Sequence, residues 1–510
     1  MKKSRQIEPP SIPVLCLFLS ILLFSCVQPQ RLTPSLPGEH LTILYINDLH
    51  GELEPFALEQ GKKVGGAARL ASLIDKIREE NRQIGRHTLF LVAGDVFLGT
   101  SMSAFFQGEA EFKFLNQISP DAMTVGNHEF DFGWEVLQRR VATARFPIIS
   151  ANIYRSGQRS FPPLLVKELG GRLRLVVLGL ITPDTARIAN PSTISGLTFA
   201  DPVAEAKKIA VEADRRKSIF IGLTHTGLEI DKRLAAEVPE LDVIVGGHDH
   251  IALPEPLKIG RTLITQAENR GLFLGRLDVF VEGGQLVKTS GRLIPITEEL
   301  PEDKEVEQIV SSYRTELDRR LKVVLGKSNV RLIGESNRIR REETNLGNLV
   351  ADIMRAAAGT EVALINGGSI RGSIEVGPIT LEDIWRVFPY ESRLVRLELS
   401  GKQIEEALVH SIRLPPGQSG GFLQISGLNM TIGPSGLKDI RFQTKPLEAN
   451  RFYSVTVTDF MFTGGDGYEM FQKGRNYSFP SPLIRDLLIS YVTQNKEISR
   501  ELDGRIRRQP

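Results

Sequence analysis

Cysteine is nearly absent from this sequence of 510 residues, which contains only Cys16 and Cys26. Both lie near the N-terminus, so the rest of the chain has no cysteine pair and cannot be a scaffold held by disulfides. Its stability must come from buried apolar surface, and 41% hydrophobic with 24% charged residues is an ordinary globular composition. A chain of this length is expected to form roughly two to four domains, with a sizeable core.

An excess of charge is also lacking, because 63 basic and 61 acidic residues give a formal net charge of +2. Residues 1–25 contain three basic residues against one acidic residue, so the chain without them has a formal net charge of zero. This balance gives no reason to expect a nucleic-acid polymer as a partner. We find no internal repeat, and the only biased segment is a stretch rich in Pro, Gln and Ser at residues 27–39.

Long apolar runs are missing as well, since the run at residues 12–24 has about a dozen apolar residues where a membrane-spanning helix needs roughly 20. Basic residues precede this run, and Ser25 and Cys26 follow it. The order resembles a bacterial lipoprotein signal, in which residues 1–25 are removed and Cys26 carries the lipid. A signal anchor is the alternative. We expect an exported protein at the bacterial cell envelope, facing the periplasm or the cell surface, with residues 26–39 as a flexible tether.

Residues that can bind metal recur at the ends of short apolar runs in the first half of the chain. Five of the eight histidines fall at such ends. Each run has the composition of a buried strand, and open α/β folds place their ligand sites at the carboxyl ends of strands. A shared site explains the clustering. The runs are residues 41–46 before Asp48 and His50, 86–93 before Asp95, 122–125 before Asn127 and His128, 219–223 before His225, and 243–245 before His248 and His250.

These side chains are enough to bind two divalent metal ions. Mixed nitrogen and oxygen ligands suit Mn, Fe, Co or Zn rather than Ca or Mg. Two such ions roughly 3.5–4 Å apart can activate water for an in-line attack on phosphorus and stabilise the leaving oxygen. Hydrolysis of a phosphate ester is the natural use of this arrangement, although any one of these short motifs alone is more often a surface loop.

The wider pattern predicts two α/β units. Strand-like runs alternate with amphipathic segments over residues 40–297, which favours an α/β sandwich. Residues 298–325 are charged, have apolar residues at helical spacing, and are predicted to form a helix between the domains. A second unit over residues 326–506 begins with Thr344 and Asn345 capping a helix through Ala358, followed by a strand at 362–365 and a loop at 366–371.

The motifs together resemble a known family. They are Asn-Asp-Leu-His-Gly at 47–51, Gly-Asp at 94–95, Gly-Asn-His-Glu-Phe-Asp at 126–131, Thr-His at 224–225, Gly-Gly-His-Asp-His at 246–250, Asn-Gly-Gly-x-Ile-Arg at 366–371 and Gly-Gly-Asp-Gly-Tyr at 464–468. The order of these motifs along the chain is similar to that in the bacterial and animal 5′-nucleotidase family. Its members are calcineurin-like metallophosphoesterases with a C-terminal nucleotidase domain. The resemblance implies a four-layer α/β sandwich joined by a helix to an α/β substrate-binding domain.

The resemblance also implies roles for the first-half residues. One metal is expected on Asp48, His50, Asp95 and His250, and the other on Asp95, Asn127, His225 and His248. His128 is expected to stabilise charge on the phosphoryl group, with Asp131 orienting its imidazole. Glu129 has no assigned role, and we expect it to be solvated or to support a neighbouring group.

In the second half, the family's substrate pocket corresponds to Arg340, Asn366, Gly368 and Arg371, whose arginines suit an anionic phosphate. Tyr390 and Phe460 correspond to the aromatics that stack a nucleobase, and Asp466 lies near the ribose. Packing in the core is the alternative reading for the two rings. The chain departs from the family with Tyr390 for Phe, Ser369 for Gly, and Ser336 for an arginine that Arg338 or Arg341 could replace.

The main hypothesis is therefore a lipid-tethered enzyme that hydrolyses nucleotides to nucleosides and phosphate. A second hypothesis keeps the metals but takes a 2′,3′-cyclic nucleotide, a nucleotide sugar or a sulfur-linked group. A third is a non-catalytic surface lipoprotein that binds a nucleotide or another partner. No metal ligand is missing, which favours an enzyme. The metal identity, the preferred base and the oligomeric state stay open.

Overall fold

The structure is a computed structural model that describes residues 38–58, 61–170, 173–190, 193–212, 218–479 and 483–509. The predicted signal segment, Cys26 and the tether up to residue 37 lie outside these residues. The chain from Gly38 onward forms one compact unit, and its first strand begins at Glu39. Within the described residues, no helix has both the length and the apolar composition to cross a membrane.

The first part of the unit alternates strands and helices. Its strands are β1 (Glu39–Ile46), β2 (Phe56–Ala57), β3 (Lys63–Val64), β4 (His87–Val92), β5 (Ala122–Thr124), β6 (Ile148–Ile149), β7 (Ile153–Arg155), β8 (Gln158–Arg159), β9 (Leu164–Leu169), β10 (Leu173–Ile181), β11 (Leu197–Phe199), β12 (Ser218–His225), β13 (Val243–Val245), β14 (Leu257–Ile259), β15 (Thr262–Thr265), β16 (Phe273–Glu282) and β17 (Gln285–Pro295). Its helices are α1 (Ala67–Gln83), α2 (Ser101–Phe106), α3 (Glu109–Ile118), α4 (Trp134–Thr143), α5 (Thr185–Ile188), α6 (Pro202–Glu212) and α7 (Leu228–Glu237), and α8 (Lys304–Leu321) follows.

Two six-stranded sheets form the middle of this part, with strand orders β17-β16-β1-β4-β5-β6 and β14-β15-β13-β12-β10-β9. The strands β1, β4, β5 and β6 are parallel in the first sheet, and β10, β12, β13 and β15 are parallel in the second. Because parallel neighbours end at one edge, each sheet presents a row of strand carboxyl ends there.

Successive side chains of a strand point to opposite faces of its sheet, so each sheet packs on the other sheet with one face and on helices with the other. The result is four layers. Leu41 and Ile43 of β1 pack between the two sheets against Val177 of β10, whereas Leu44 and Ile46 pack on α1 and α3. The outer face of the second sheet packs on α6 and α7. Burial on both faces explains why β1 is apolar from residue 41 to 46 except at Thr42. The predicted four-layer α/β sandwich is confirmed.

The charged segment predicted as a linking helix forms α8. The carboxylate of Asp303 accepts the backbone N–H of Val306 at 2.9 Å and caps its start. The buried side chains of α8, among them Val310 and Leu317, belong to the core of the first part. The helix therefore extends that core at the point where the chain leaves it.

The second part is also α/β. Its strands are β18 (Val324–Ser328), β19 (Val362–Asn366), β20 (Gly377–Thr380), β21 (Leu394–Ser400), β22 (Leu423–Ser426), β23 (Leu428–Gly433), β24 (Gly436–Phe442), β25 (Lys445–Pro446), β26 (Phe452–Thr458), β27 (Arg475–Ser478), β28 (Glu497–Ile498) and β29 (Ile506–Arg508). Its helices are α9 (Ser336–Ile339), α10 (Asn345–Ala358), α11 (Leu381–Val387), α12 (Gly401–Arg413), α13 (Asp459–Phe462) and α14 (Ile484–Asn495).

A five-stranded sheet of order β22-β19-β26-β21-β27 forms the centre of the second part. One of its faces packs on α10, α11 and α14, and the other packs on α12. The predicted cap of α10 is present, because the Thr344 hydroxyl accepts the N–H of Gly347 at 3.1 Å. This arrangement confirms the predicted second α/β domain.

The two parts touch through α2, α8 and α11. Arg314 of α8 donates to both carboxylate oxygens of Glu382 on α11, at 2.6 and 2.7 Å. The hydroxyl of Ser101 on α2 donates to the same carboxylate at 2.8 Å. The rings of Phe105 and Trp385 meet edge to face, with centroids 5.4 Å apart. These contacts join the two parts of the chain.

Candidate metal centre and substrate pocket

The ends of five parallel strands bring the predicted metal ligands together. Six of the seven have side-chain atoms in groups whose members lie within 4.8 Å of one another: Asp48, His50 and His250 in one, Asp95, His225 and His248 in another. A third group contains His50, Asp95 and His128. The seventh predicted ligand, Asn127, lies between Gly126 and His128, which both approach Asp95.

The distances define two overlapping clusters. His50 Nε2 lies 2.9 Å from His250 Nε2, and the Oδ1 atom of Asp48 lies 3.8 and 3.4 Å from these nitrogens. In the second cluster, His225 Nε2 lies 3.0 Å from Asp95 Oδ2. The clusters are linked because His225 Nε2 also lies 4.0 Å from Asp48 Oδ1. Ligand atoms from both sheets thus face one small volume.

One buried polar atom in this volume, the Oδ1 of Asn127, has no hydrogen-bond partner among the described residues. Such orphaned atoms are rare in folded proteins and call for an ion or a water molecule. Burial opposes the ionisation of Asp95, yet His225 and His128 outweigh it and hold the pKa of Asp95 well below its ordinary value. An anionic carboxylate beside an amide oxygen and an imidazole nitrogen fits a divalent transition metal.

Backbone strain is concentrated at the same residues. Asp48, His50, Asp95, His248 and His250 have φ values of 51, 50, 51, 90 and 58°, in the left-handed region. Each such conformation costs about 1–3 kcal/mol for a residue that is not glycine. The surrounding hydrogen bonds, such as the N–H of His248 to Asp48 Oδ2 at 2.9 Å, maintain it. The strain turns ligand side chains at successive strand ends inward.

Glycines are required where the loops approach one another. A Cβ atom on Gly126 would lie 2.2 Å from Asp95 Oδ1, and one on Gly247 would lie 2.8 Å from the carbonyl oxygen of Ala93. Both distances are too short for a side chain. The glycines of the Gly-Asn-His and Gly-Gly-His motifs therefore allow the ligand loops to pack closely.

Glu129 supports the Asp95 loop, as the second of the two alternatives expected for it, and the first alternative, a solvated carboxylate, is wrong. Its side chain is fully buried. Its carboxylate accepts four backbone N–H groups, those of Asp95 at 2.9 Å, Val96 at 2.8 Å, Phe97 at 3.2 Å and Gly126 at 2.6 Å. One carboxylate thereby joins the loops after β4 and β5.

Asp231 supports the end of β12, and the sequence pattern did not single it out. Its Oδ1 accepts the hydroxyls of Thr224 at 2.8 Å and Thr226 at 2.6 Å, which flank His225. A Cβ atom on Gly246 would lie 2.3 Å from its Oδ2. Burial raises the pKa of Asp231 to about 7. Its position in α7, on the side of the strand away from the ligands, explains why no motif indicated it.

The predicted pair of His128 and Asp131 is formed. His128 Nδ1 lies 2.5 Å from Asp131 Oδ2, and its ring meets that of His50 edge to face at a centroid distance of 5.1 Å. Burial lowers the pKa of His128, but the carboxylates of Asp131 and Asp95 outweigh this and raise it above its ordinary value. The ring can thus donate to an anion beside the metal centre.

In the second part, the predicted residues Asn366 and Asp466 lie together. The Nδ2 of Asn366 donates to Asp466 Oδ2 at 2.8 Å, and the hydroxyl of Ser369 donates to Asn366 Oδ1 at 2.5 Å. The N–H of Gly368 donates to the carbonyl of Gly420 at 2.8 Å. Ser369, a departure from the family, therefore fixes the orientation of Asn366.

The two predicted arginines are close enough to repel each other. Burial and the charge of Arg371 lower the pKa of Arg340 to about 10. The Nε of Arg340 is buried without a partner, and its Nη1 donates to the carbonyl of Gln418 at 3.2 Å. The charge of Arg371 also acts on His128. Two cations with spare donors at this position suit an anionic group near the metal centre.

The two predicted stacking rings lie in different surroundings. Tyr390 packs against the core of the first part, and the charges of Arg371 and Asp131 act on its hydroxyl. Phe460 packs on the core of the second part, and a Cβ atom on Gly465 would lie 2.5 Å from its ring. In the described residues the two rings do not contact each other.

The loop at residues 417–421 was missed by the sequence reasoning. Gly420 lies against Gly368, and a Cβ atom on it would lie 3.4 Å from Asp466 Oδ2. The hydroxyl of Tyr468 donates to the carbonyl of Gly421. The signal was Pro-Pro-Gly at 415–417 together with Gly-Gly at 420–421, which indicates a loop but not its partner.

The comparisons with known proteins agree with this architecture. Residues 41–252 match the family described as calcineurin-like phosphoesterase, and residues 324–473 match the 5′-nucleotidase C-terminal domain. A 5′-nucleotidase of Vibrio cholerae is 32% identical over 508 residues, covering 90% of this chain and 91% of that protein. A 5′-nucleotidase of Vibrio vulnificus is 30% identical over 530 residues, covering 94% and 95%.

A solved structure of a 5′-nucleotidase precursor from Thermus thermophilus is 32% identical and superposes with a TM-score of 0.82, covering 92% of this chain and 100% of that one. The sulfate thiohydrolase SoxB of Thermus thermophilus shares the fold, with a TM-score of 0.72 at 21% identity over 93% of this chain and 97% of that chain. The chain belongs to the 5′-nucleotidase family, in which a calcineurin-like phosphoesterase domain precedes a 5′-nucleotidase C-terminal domain.

Proposed function

We propose that the protein is a metal-dependent phosphoric ester hydrolase that converts 5′-nucleotides to nucleosides and phosphate. The observation that carries the proposal is the convergence of imidazole, carboxylate and amide groups at the strand ends, where Asn127 Oδ1 has no partner among the described residues. Membership of the 5′-nucleotidase family supports the substrate class.

The residues that would hold the metals are those of the two overlapping clusters. Asp48, His50, Asp95 and His250 would bind one ion, and Asp95, Asn127, His225 and His248 the other, with Asp95 shared. Mn, Zn, Co or Fe suits this mixture of nitrogen and oxygen ligands. When bound, two such ions supply activation of a water molecule and neutralisation of the phosphate charge.

The other predicted residues would act on the substrate, either directly or, for Asp131, through His128. Asp131 holds the imidazole of His128 so that His128 can donate to a phosphoryl oxygen, where negative charge grows in the transition state. Arg340 and Arg371 would bind the anionic end of the nucleotide. On the side of the second part, Asn366 and Gly368 line the pocket, Asp466 would accept from the ribose, and Tyr390 and Phe460 would hold the base.

The test is a ranking of substrates by kcat/KM, using protein that begins at residue 27. Phosphate is measured for 5′-AMP, and the released monoester or alcohol is measured for the other substrates. 5′-AMP, UDP-glucose, 2′,3′-cyclic AMP and an aryl phosphodiester are each offered with Mn, Co, Zn or Mg. We expect 5′-AMP to have the highest kcat/KM. A higher kcat/KM for the cyclic nucleotide or the nucleotide sugar would replace the proposed substrate, and no hydrolysis of any substrate would favour the non-catalytic hypothesis.

We also propose that the protein is exported and anchored by lipid on Cys26. The basic start, the short apolar run and the Ser25-Cys26 junction support this. The change Cys26→Ser should release the protein from the membrane fraction or block its processing in a bacterial host, and Cys16→Ser is the matched control that should leave both unchanged. A Cys26→Ser protein that sediments with membranes after a high-salt wash would contradict the anchor.

A further inference from the structure

Asp249 lies between the proposed ligands His248 and His250, but its carboxylate has a different partner. Its Oδ2 accepts the backbone N–H of Leu228 at 2.5 Å. Among the described residues, Asp249 belongs to none of the three groups whose atoms could hold a metal ion. The middle residue of the His-Asp-His sequence is therefore engaged with another part of the fold.

Leu228 is the first residue of α7, and the start of this helix has no cap of its own. The residue before it, Gly227, has no side chain that could accept one of the free N–H groups of the first turn. Asp249, which follows Leu228 by 21 positions in the chain, supplies that acceptor. The helix α7 is thus capped by the loop that follows another strand, β13.

The glycine at position 227 allows this approach. Gly227 has a φ value of 83°, and a Cβ atom on it would lie 2.9 Å from Asp249 Oδ1, so a side chain there would displace the carboxylate. The N–H of Gly227 also donates to the carbonyl of Gly247 at 3.2 Å. Two hydrogen bonds therefore join residues 227–228 to residues 247–249.

These two hydrogen bonds lie beside two proposed ligands of one metal, His225 and His248. His225 is the last residue of β12, two positions before Gly227, and His248 lies within the bonded segment 247–249. The two imidazole rings meet edge to face at a centroid distance of 5.1 Å, and both belong to one group of possible ligands. The hydrogen bonds from α7 to the loop after β13 therefore fix the spacing of two ligands that different strands carry.

The loop of residues 247–250 needs such contacts because its backbone is strained. His248 and His250 have φ values of 90 and 58°, which residues with a side chain rarely adopt. Strained conformations persist only where the surrounding structure holds them. The N–H of His248 donates to Asp48 Oδ2 at 2.9 Å on one side, and Asp249 holds the loop on the side of α7. Without the carboxylate of Asp249, the loop can relax and move both imidazoles.

We propose that Asp249 is a positioning residue, which caps α7 and thereby holds the loop of residues 247–250 in the conformation that binds both metal ions. The inference rests on the proposed ligand set, in which His248 and His250 bind different ions. Asp249 acts as a hydrogen-bond acceptor for the helix and not as a ligand. Because asparagine caps helices about as well as aspartate does, Asp249→Asn should keep this role.

The test is a titration of chelator-treated protein with Co(II), followed by the visible absorption of the bound ions and by elemental analysis after desalting. Asp249→Ala should weaken the binding of both Co(II) ions by about 10–100-fold, because it removes the group that holds their ligands in place. Asp249→Asn should stay within about threefold of the wild type, because it keeps the acceptor.

Asp201→Ala is the matched control. Asp201 caps α6 by accepting the N–H of Ala204 at 2.8 Å, and it neighbours no proposed ligand in the sequence. The loss of this cap should lower the Tm of the metal-free protein about as much as Asp249→Ala does. Its Co(II) affinity should equal that of the wild type, which separates the position of the ligands from general stability.

Three outcomes would overturn the inference and leave the proposed function standing, provided that the wild type binds two ions. If Asp249→Ala binds both ions with wild-type affinity, the cap does not position the ligands. If Asp249→Asn weakens binding as much as Asp249→Ala, the carboxylate acts as a ligand or through its charge. If Asp201→Ala weakens binding equally, lowered stability explains the effect. A wild type that binds no Co(II) would reject the ligand set itself, and the inference with it.

Discussion

Replacement of Glu129 by glutamine tests how the ligand loops are held, because the change keeps the shape of the side chain. The Oε1 of Glu129 accepts the N–H groups of Val96 and Phe97, and Oε2 accepts those of Asp95 and Gly126. In Glu129→Gln one of these oxygens becomes an NH2 group, which cannot accept. Whichever way the amide turns, two buried N–H groups lose their partner.

The expected cost follows from that count. A buried donor left without an acceptor costs about 1–3 kcal/mol, so the two together should lower the free energy of unfolding by about 2–6 kcal/mol. Urea denaturation of metal-free protein at pH 8 measures this directly. Because the lost bonds hold the loop that carries Asp95, metal affinity should fall as well.

Glu135→Gln is the matched control, since Glu135 is exposed in the first turn of α4 and its change should stay within about 0.5 kcal/mol of the wild type. If Glu129→Gln has an equally small effect on the free energy of unfolding, the four backbone bonds do not stabilise the loops. The proposed support of the Asp95 loop would then be refuted.

Three further changes separate the roles of individual residues. His128→Ala should lower kcat by roughly 100-fold with both metals retained, because the ring is proposed to act on the transition state; loss of one metal in elemental analysis would make His128 a ligand. Phe460→Ala should weaken 5′-AMP binding by about 1–3 kcal/mol, because one stacking face is lost. The kcat/KM of an aryl phosphodiester should change much less. Equal losses for the two substrates would indicate that Phe460 acts in packing only. The ordinary pKa of an aspartate is 3.8, and burial raises the pKa of Asp231 to about 7. Between these two pH values the carboxyl group of Asp231 is protonated in the folded protein and ionised in the unfolded chain. Wild-type stability should therefore fall as the pH rises through that window. Because burial also raises the pKa values of Glu111 and Glu129 to about 7, Asp231→Asn should reduce this fall without removing it. The free energies of unfolding at pH 5 and pH 8 check this, and an unchanged pH dependence would contradict the assignment.

The sequence was sufficient for the fold because the strands that carry the site are buried on both faces. A strand such as β1 then reads as a largely apolar run, and the polar residues that follow it, Asn47, Asp48 and His50, stand out. Parallel pairing puts such ends at one edge of a sheet, so the ligand cluster could be expected before any contact was known.

The supporting residues could not be predicted in the same way. Glu129, Asp231 and Asp249 make their contacts with loops that are distant in sequence or with backbone groups, and neither kind of contact produces a periodic pattern. The packing of α8 on the first core was also hidden, because a helix with one apolar face can pack on either neighbour. These contacts depend on how the loops fold after the strands are in place.

The most direct test of the account is to measure the metal content and the rate of 5′-AMP hydrolysis together, for the wild type and for Asp95→Asn. Asp95 is the ligand proposed to be shared, so the account predicts two ions per wild-type chain, activity that is lost on chelation and restored by metal, and a parallel loss of metal and turnover in Asp95→Asn. An Asp95→Asn protein that keeps both ions and more than about a tenth of the wild-type rate would contradict the two-metal site.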